Sequence, residues 1–242
     1  ELVMVGDEMG DMPEGRRRLG LYYHDTRYLN ILDMTINDQK PRLLASSSQQ
    51  NYIAIIQMAN PTLELADGEV ALARTISIRR ICTIKDALYE QISFYNHNRF
   101  DVPLKLMITF GGDFLDIFEV RGWERKRRGI ISIPKVSDSR IILSYQGLDG
   151  IWRHTDASFE IPPSRVETEK EYVYRQPARR TSSFLPESYE VAPSVMSQPP
   201  CAKATWDLVL KPRIPLDIIF AIQAYEGGGP GVIGSFDKSL GE

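Results

Sequence analysis

The chain has 242 residues, 43% apolar and 25% charged, an ordinary soluble globular balance and enough length for one large β domain or two smaller ones. A formal net charge of −3, from 29 basic and 32 acidic residues, gives no overall electrostatic case for nucleic acid or an anionic membrane surface as partner. The two cysteines, Cys82 and Cys201, lie far apart without a CxxC or a Cys/His cluster, so they read as free thiols of a reducing compartment.

From the start, Glu1 to Arg18 mixes acids and bases with no apolar run and does not read as a signal peptide. Next comes Gly20-Leu21-Tyr22-Tyr23-His24-Asp25-Thr26-Arg27-Tyr28, too dense in polar residues for a plain strand. Its aromatics could stack on sugar rings while His24, Asp25 and Arg27 hydrogen-bond hydroxyls. A sheet corner in which Asp25 and Arg27 satisfy neighbouring groups explains the same residues more simply. Leu32, Met34 and Ile36 then alternate with other residues, Ile76 and Ile78 repeat the pattern, and Leu104, Leu106, Ile108 and Phe110 alternate with Lys105, Met107 and Thr109. Period two marks strands with one buried face. Asn37-Asp38, Ala66-Asp67-Gly68, Asn96-His97-Asn98 and Gly111-Gly112 are turn signals between these runs.

The segment Gly112 to Gly122 is the best place for helix, a short turn around Phe114–Phe118 capped by Asp113. On such a turn Asp113, Asp116 and Glu119 share a face, and paired carboxylates are what glycoside hydrolysis uses. Capping plus an ion pair to Arg121 accounts for them without catalysis. Arg121, Arg125, Lys126, Arg127 and Arg128 form a basic run around Trp123. It is short and lies beside acids, which favours a solvated loop or a docking surface over a grip on a phosphate backbone.

Ser137-Asp138-Ser139 and Gly147-Leu148-Asp149-Gly150 are further turns, and the strand that follows the second is partly apolar on both faces, with Trp152 and His154 opposite Ala157, Phe159 and Ile161. Seven prolines crowd 162–200, so 163–203 reads as a long loop or edge excursion. Trp206, Leu208 and Leu210, then Leu216, Ile218, Phe220 and Ile222, restore the alternation. The longest apolar stretch, Ile214 to Ile222, contains Pro215 and Asp217 and falls far short of the ~20 residues a membrane helix needs. No membrane partner is expected, and the expected location is the cytoplasm. The Gly-rich segment 227–231 lacks the Lys-Ser/Thr of a P-loop, and His24, His97 and His154 have no metal-ligand spacing, so neither cofactor nor metal is expected.

The pattern predicts one all-β domain over 1–242: a large two-sheet antiparallel β-sandwich of a dozen or more strands, supersandwich-like, with long loops and little helix.

Several segments also resemble a known family. They are Gly20 to Leu29, Asn60-Pro61, Leu88-Tyr89-Glu90 with Asn96, Asp113-Phe114, Asp116 to Gly122, Arg128-Gly129 and Tyr145-Gln146-Gly147. Over about residues 5 to 160 the chain resembles the N-terminal domain of bacterial and archaeal glycogen debranching enzymes of the amylo-α-1,6-glucosidase type. The resemblance implies a β-sandwich preceding an (α/α)6-barrel glycosidase domain that carries the general acid and base. The chain would be a fragment of such a glycosidase without the barrel, with no catalytic residue of its own. The barrel in cis and α-glucan are the implied partners. His24, Asp25, Arg27, Asp113, Asp116, Glu119, Arg121 and Trp123 are then the candidate substrate-binding or domain-interface residues. Two other readings stand beside this one. A self-standing carbohydrate-binding protein would display a platform from Tyr22, Tyr23, Trp123 or Trp152. An enzyme in its own right would use two of Asp113, Asp116 and Glu119.

Overall fold

The computed structural model describes residues 1–16, 18–50, 52–65, 68–123, 125, 127–169, 172–173, 197–198 and 200–229. These residues form strands and a single four-residue helix, Ile117–Val120, so the all-β expectation holds. Every pairing between strands is antiparallel.

The two main sheets are unequal, where two large ones were expected. The larger has nine strands, in the order Ile130–Ile131, Arg140–Gln146, Trp152–Phe159, Pro215–Glu226, Leu88–Asn96, Ile76–Ile84, Ile53–Ala59 and Arg42–Gln50, with Lys135–Ser137 also on Arg140–Gln146. The smaller has four: Arg165–Glu169, Cys201–Leu210, Val102–Gly111 and Ile31–Ile36. Leu2–Val5, Gly20–Tyr23 and Thr26–Leu29 form a separate three-stranded sheet.

Period two decides which side chains meet between the layers. Leu104, Leu106, Ile108 and Phe110 face inward from the small sheet, with Leu32, Met34, Ile36, Ala202, Ala204 and Trp206 beside them, all buried. Ile78, Ile92, Phe94, Ile218, Phe220 and Ile222 face them from the large sheet. The layers lock through rings: Phe110 stands edge-on to Phe159 and Phe220 at centroid distances of 5.8 and 6.0 Å, and Trp206 edge-on to Phe159 at 5.2 Å. The Trp206 indole N–H, which needs a partner when buried, donates to the Ile161 carbonyl at 2.9 Å.

Residues singled out by the family resemblance act here as ties. Asn60, fully buried, donates to the Pro61 and Leu72 carbonyls and accepts from the Ile76 amide. Asn96, equally buried, donates to Phe100 and Leu210 carbonyls. Each satisfies backbone groups that a loop would otherwise leave orphaned.

The expected excursion at 163–203 is narrower, because Arg165–Glu169 pairs with Cys201–Thr205 in the small sheet. Tyr172–Val173 pairs with Ser197–Gln198. The remainder of that excursion, the expected turn residues Ala66 and Asp67, and the end of the Gly-rich segment lie outside the described residues. Among the described residues, no helix is long and apolar enough to cross a membrane.

Candidate functional site

The two strands of the Gly20–Leu29 hairpin are joined by His24 and Asp25 alone, both with positive φ, 43° and 58°. A two-residue turn of this hand follows the twist of the strands and normally uses Asn-Gly or Asp-Gly. Here two side-chain-bearing residues take the left-handed conformation, which puts strain at the tip. Tyr23 stacks on His24 with centroids 3.9 Å apart.

Arg27 turns inward from the second strand. Its Nε and Nη2 donate to the two carboxylate oxygens of Asp113 at 3.1 and 2.5 Å, and its Nη1 donates to the Leu19 carbonyl at 3.1 Å. Both partners are buried, and such a bidentate fork is the strongest geometry available to the pair. Burial opposes the charge on Arg27, but the Asp113 carboxylate more than offsets this and raises the guanidinium pKa. Gly20 is required for this arrangement, since a Cβ there would meet Arg27 Cδ at 2.4 Å and the Leu29 carbonyl oxygen at 2.8 Å.

Asp113 therefore does not cap the helix. Asp116 does: its Oδ1 accepts from the Phe118 and Glu119 amides at 2.8 and 2.9 Å, while Glu119 Oε2 accepts from the Asp116 amide at 3.1 Å, a complete capping box. Helix and hairpin are tied by backbone bonds, Ile117 N–H to the Asp25 carbonyl at 2.9 Å and Arg27 N–H to the Leu115 carbonyl at 2.7 Å. The carboxylates pair with Arg125 and Arg128 rather than with Arg121, which sits at the helix C-cap. Burial raises the Glu119 pKa against the pull of Arg128. With Asp113 saturated by Arg27, the three acids do not line one helical face, and each is held by its own partners.

Beyond the helix the surface turns apolar. Phe118 is 57% and Trp123 73% exposed, and the two rings meet edge to face at 6.4 Å. Arg128 donates to the Asp113 carbonyl at 2.6 Å and lies over the Tyr145 ring, 5.7 Å from its centroid. Gly129 lets this loop pass tightly over the large sheet, where a Cβ would meet the Gln146 carbonyl oxygen at 1.9 Å.

Aromatic residues and two side chains that sequence reasoning missed, Arg153 and Glu226, complete the corner. Phe114, with a positive φ of 50°, stacks on Tyr145 at 5.5 Å and stands edge-on to Tyr28 at 5.6 Å. The Tyr28 hydroxyl donates to Glu226 at 3.1 Å, and Arg153 Nε lies 3.4 Å from the same carboxylate. His24 Nδ1 is 4.0 Å from its other oxygen. Arg153 also holds Asp149 at 2.8 Å, and this pairing, helped by the Ile151 amide, pulls the Asp149 pKa down to about 2. Glu226 ends the last strand of the large sheet, so the hairpin tip, the helix and the strand end share one corner. The signal for Arg153 and Glu226 lay in the sequence: both fall in phase with inward residues of their strands, Thr155 and Ala157, and Ala224 and Ile222.

All eight predicted residues thus gather at this corner, in three roles. Arg27 and Asp113 form its buried tie, Asp116, Glu119 and Arg121 build the helix, and His24, Asp25 and Trp123 reach the surface. Among the described residues, no group of His, Cys, Asp and Glu is arranged to hold a metal ion.

No curated protein matches the chain in sequence. Among solved structures it is similar to a protein assigned as a kojibiose phosphorylase from the human microbiome, with a TM-score of 0.48 and 10% identity over 89% of this chain and 25% of that one. It is also similar to heparan sulfate lyase from Pedobacter heparinus, with a TM-score of 0.39 and 10% identity over 81% of this chain and 24% of that one. A galactose mutarotase related enzyme from Lactobacillus acidophilus gives 0.37 and 9% identity over 75% of this chain and 70% of that one. The chain spans about a quarter of the length of the first two. A family model matches residues 1–182, taking in the hairpin, the buried asparagines and the Asp113–Arg128 loop, and it places the chain in the family of N-terminal domains of (some) glycogen debranching enzymes.

Proposed function

We propose that this chain is the non-catalytic N-terminal accessory domain of a glycogen-debranching-type α-glucosidase, docked through the polar corner onto an (α/α)6-barrel catalytic domain in cis. The observation that carries this reading is the pairing of Asp113, Asp116 and Glu119 beside an exposed apolar pair. A general acid or nucleophile needs a carboxyl free to exchange a proton or attack, yet Asp113, Asp116 and Glu119 are each held by arginine or backbone amides. Phe118 and Trp123, exposed side by side, have the character of an interface anchor. The two buried free thiols fit a cytoplasmic setting, and the net charge of −3 gives no support to a nucleic-acid partner.

The test has two arms. The chain alone is expected to release no glucose from a branched α-glucan dextrin. Hydrolysis by the purified chain that disappears in Asp116→Asn overturns the reading. In the polypeptide that joins this chain to its barrel, Trp123→Asp with Phe118→Ser is expected to lower the melting temperature and the debranching rate. The same pair of substitutions in the chain alone is expected to leave its melting temperature nearly unchanged, and equal losses in both settings would assign the patch to the fold instead.

A further inference from the structure

The face of the large sheet turned away from the core carries a second constellation. Across Arg140–Gln146, Trp152–Phe159 and Pro215–Glu226, the outward positions are Ser144, His154 and Tyr225 in one row, with Asp156 and Gln223 in the next. Trp152, His154 and Tyr225 form a continuous stack, with centroids 6.0 Å apart at 10° and then 5.0 Å apart at 30°. His154 is fixed by a 2.9 Å hydrogen bond between its Nδ1 and the Ser144 hydroxyl. Trp152, the terminal ring, is 38% exposed.

The polar groups beside the stack are already neutralised among themselves. Asp156 is fully buried, and Arg140 donates to its two oxygens from Nε at 2.8 Å and from Nη2 at 2.5 Å. Burial, reinforced by Lys135, lowers the His154 pKa. The exposed Lys135 adds a positive charge nearby. One group remains unmatched: Gln223 Oε1 is buried and has no hydrogen-bond partner among the described residues. A buried acceptor of this kind costs free energy until a donor reaches it. The bidentate pair with Asp156 also leaves the Arg140 Nη1 donors outside it.

We infer that this strip is a saccharide-binding subsite: a pyranose ring packs on Trp152, and neighbouring sugar hydroxyls reach Arg140 and Tyr225. The chemistry favours a neutral, hydroxyl-rich ligand. A ring face accepts the C–H surface of a sugar, the Tyr225 hydroxyl and the Arg140 Nη1 donors suit sugar hydroxyls, and the internally neutralised Arg140–Asp156 pair offers little to an anion. Trp152 and Asp156 are four residues apart on one strand, about 13 Å at ~3.3 Å per residue, which suits an oligosaccharide better than a single sugar. The choice of an α-glucan as that oligosaccharide rests on the accessory-domain reading, whereas the site itself does not.

The experiment is calorimetric titration of maltohexaose into the chain and its variants, each checked for an unchanged melting temperature. Trp152→Ala is expected to weaken binding about tenfold or more through loss of the ring contact, and Tyr225→Phe, which removes only a hydroxyl, severalfold. Trp123→Ala at the corner is expected to bind as the unsubstituted chain does. Binding that survives Trp152→Ala unchanged overturns the subsite and moves the sugar elsewhere. Absence of binding by the unsubstituted chain at millimolar maltohexaose also overturns it. Either failure leaves the docking reading standing, because that reading is decided by Phe118 and Trp123 in the joined polypeptide.

Discussion

Arg27 and Asp113 show what one buried pair contributes at a corner built from distant pieces of chain. The two residues are 86 positions apart, and two parallel hydrogen bonds fix both the hairpin and the loop before the helix. Arg27→Ala leaves the Asp113 carboxylate buried and uncompensated, and is expected to cost about 3–5 kcal/mol in urea unfolding. Arg27→Lys keeps the charge but cannot reproduce the planar fork, so an intermediate loss is expected. A change below 1 kcal/mol in Arg27→Ala would mean that the pair is solvated in solution. At the hairpin tip the sign reverses. Asp25 sits at φ 58°, where a Cβ is unfavourable, so Asp25→Gly is expected to stabilise the chain by about 0.5 kcal/mol. Retention of a strained, exposed tip is what a surface selected for contact rather than stability predicts. Asp149 supplies the pH signal at this scale. Its folded pKa, about 2, lies below that of an unfolded aspartate. Its stabilisation is therefore complete above the unfolded value, about 3.9, and is lost as pH falls toward 2. The carboxylate is 44% exposed, so solvent screening holds the contribution to about 1 kcal/mol or less. Asp149→Asn should flatten the acid limb of stability below about pH 4 while changing the neutral value little, and an unaltered acid limb would exclude the pair as its source.

Among the elements, the Ile117–Val120 helix depends most on its cap, since four residues cannot hold a helix by propensity alone. Asp116→Ala removes the acceptor for two amides and the anchor for Arg125, and should cost about 1 kcal/mol. The effect should be local, with faster amide exchange at Phe118 and Glu119 and a shifted Trp123 emission, while Trp206 in the core stays unchanged. This helix also marks where sequence reading reaches its limit. A carboxylate three residues before Glu119 is a capping-box signature, and Asp116 satisfies it. Asp113 offers the same side chain one turn earlier, and only its contact with Arg27 settles which acid caps. That contact is set by topology, not by spacing. Strands were legible for the opposite reason: alternation such as Leu104 to Phe110 is a local property that the fold keeps, and all four residues are buried. A hairpin turn such as Asn37-Asp38 was legible too, because both residues take positive φ, 45° and 60°. The division into nine, four and three strands was not, since alternation says which face is buried but not which strand lies next to which.

Across the whole molecule, the two sheets and the N-terminal segment are joined by a charge relay at inward positions. Arg80 is in phase with Ile76, Ile78 and Cys82, and Glu90 with Leu88, Ile92 and Phe94, so both point into the layer between the sheets. Charges at positions reserved for apolar residues were the one visible sign that something must enter to meet them. Arg80 donates to Glu90 from Nε at 2.6 Å and from Nη2 at 3.0 Å, and from Nη1 to Asp11 at 2.6 Å and the Met9 carbonyl at 3.0 Å. Lys40 carries the relay on, donating to Asp11 at 2.5 Å and to Asp33 of the small sheet at 2.6 Å. Burying so many charges is not in itself stabilising, because the lost hydration of each ion is comparable to the attraction it gains. What the relay fixes is position: only one placement of residues 7–12 satisfies all three buried groups. Arg80→Met alone should strand Glu90 without a counter-charge, leave Asp11 to Lys40 alone, and lower stability by about 3–5 kcal/mol. Replacing the triad together, with Arg80→Met, Glu90→Leu and Asp11→Leu, should restore most of that loss in urea unfolding. The triple variant should also show faster amide exchange at residues 7–12, since no directional bond then holds the segment over the core. If it unfolds as readily as Arg80→Met, the relay is a source of stability in its own right rather than a device for placing the N-terminal segment.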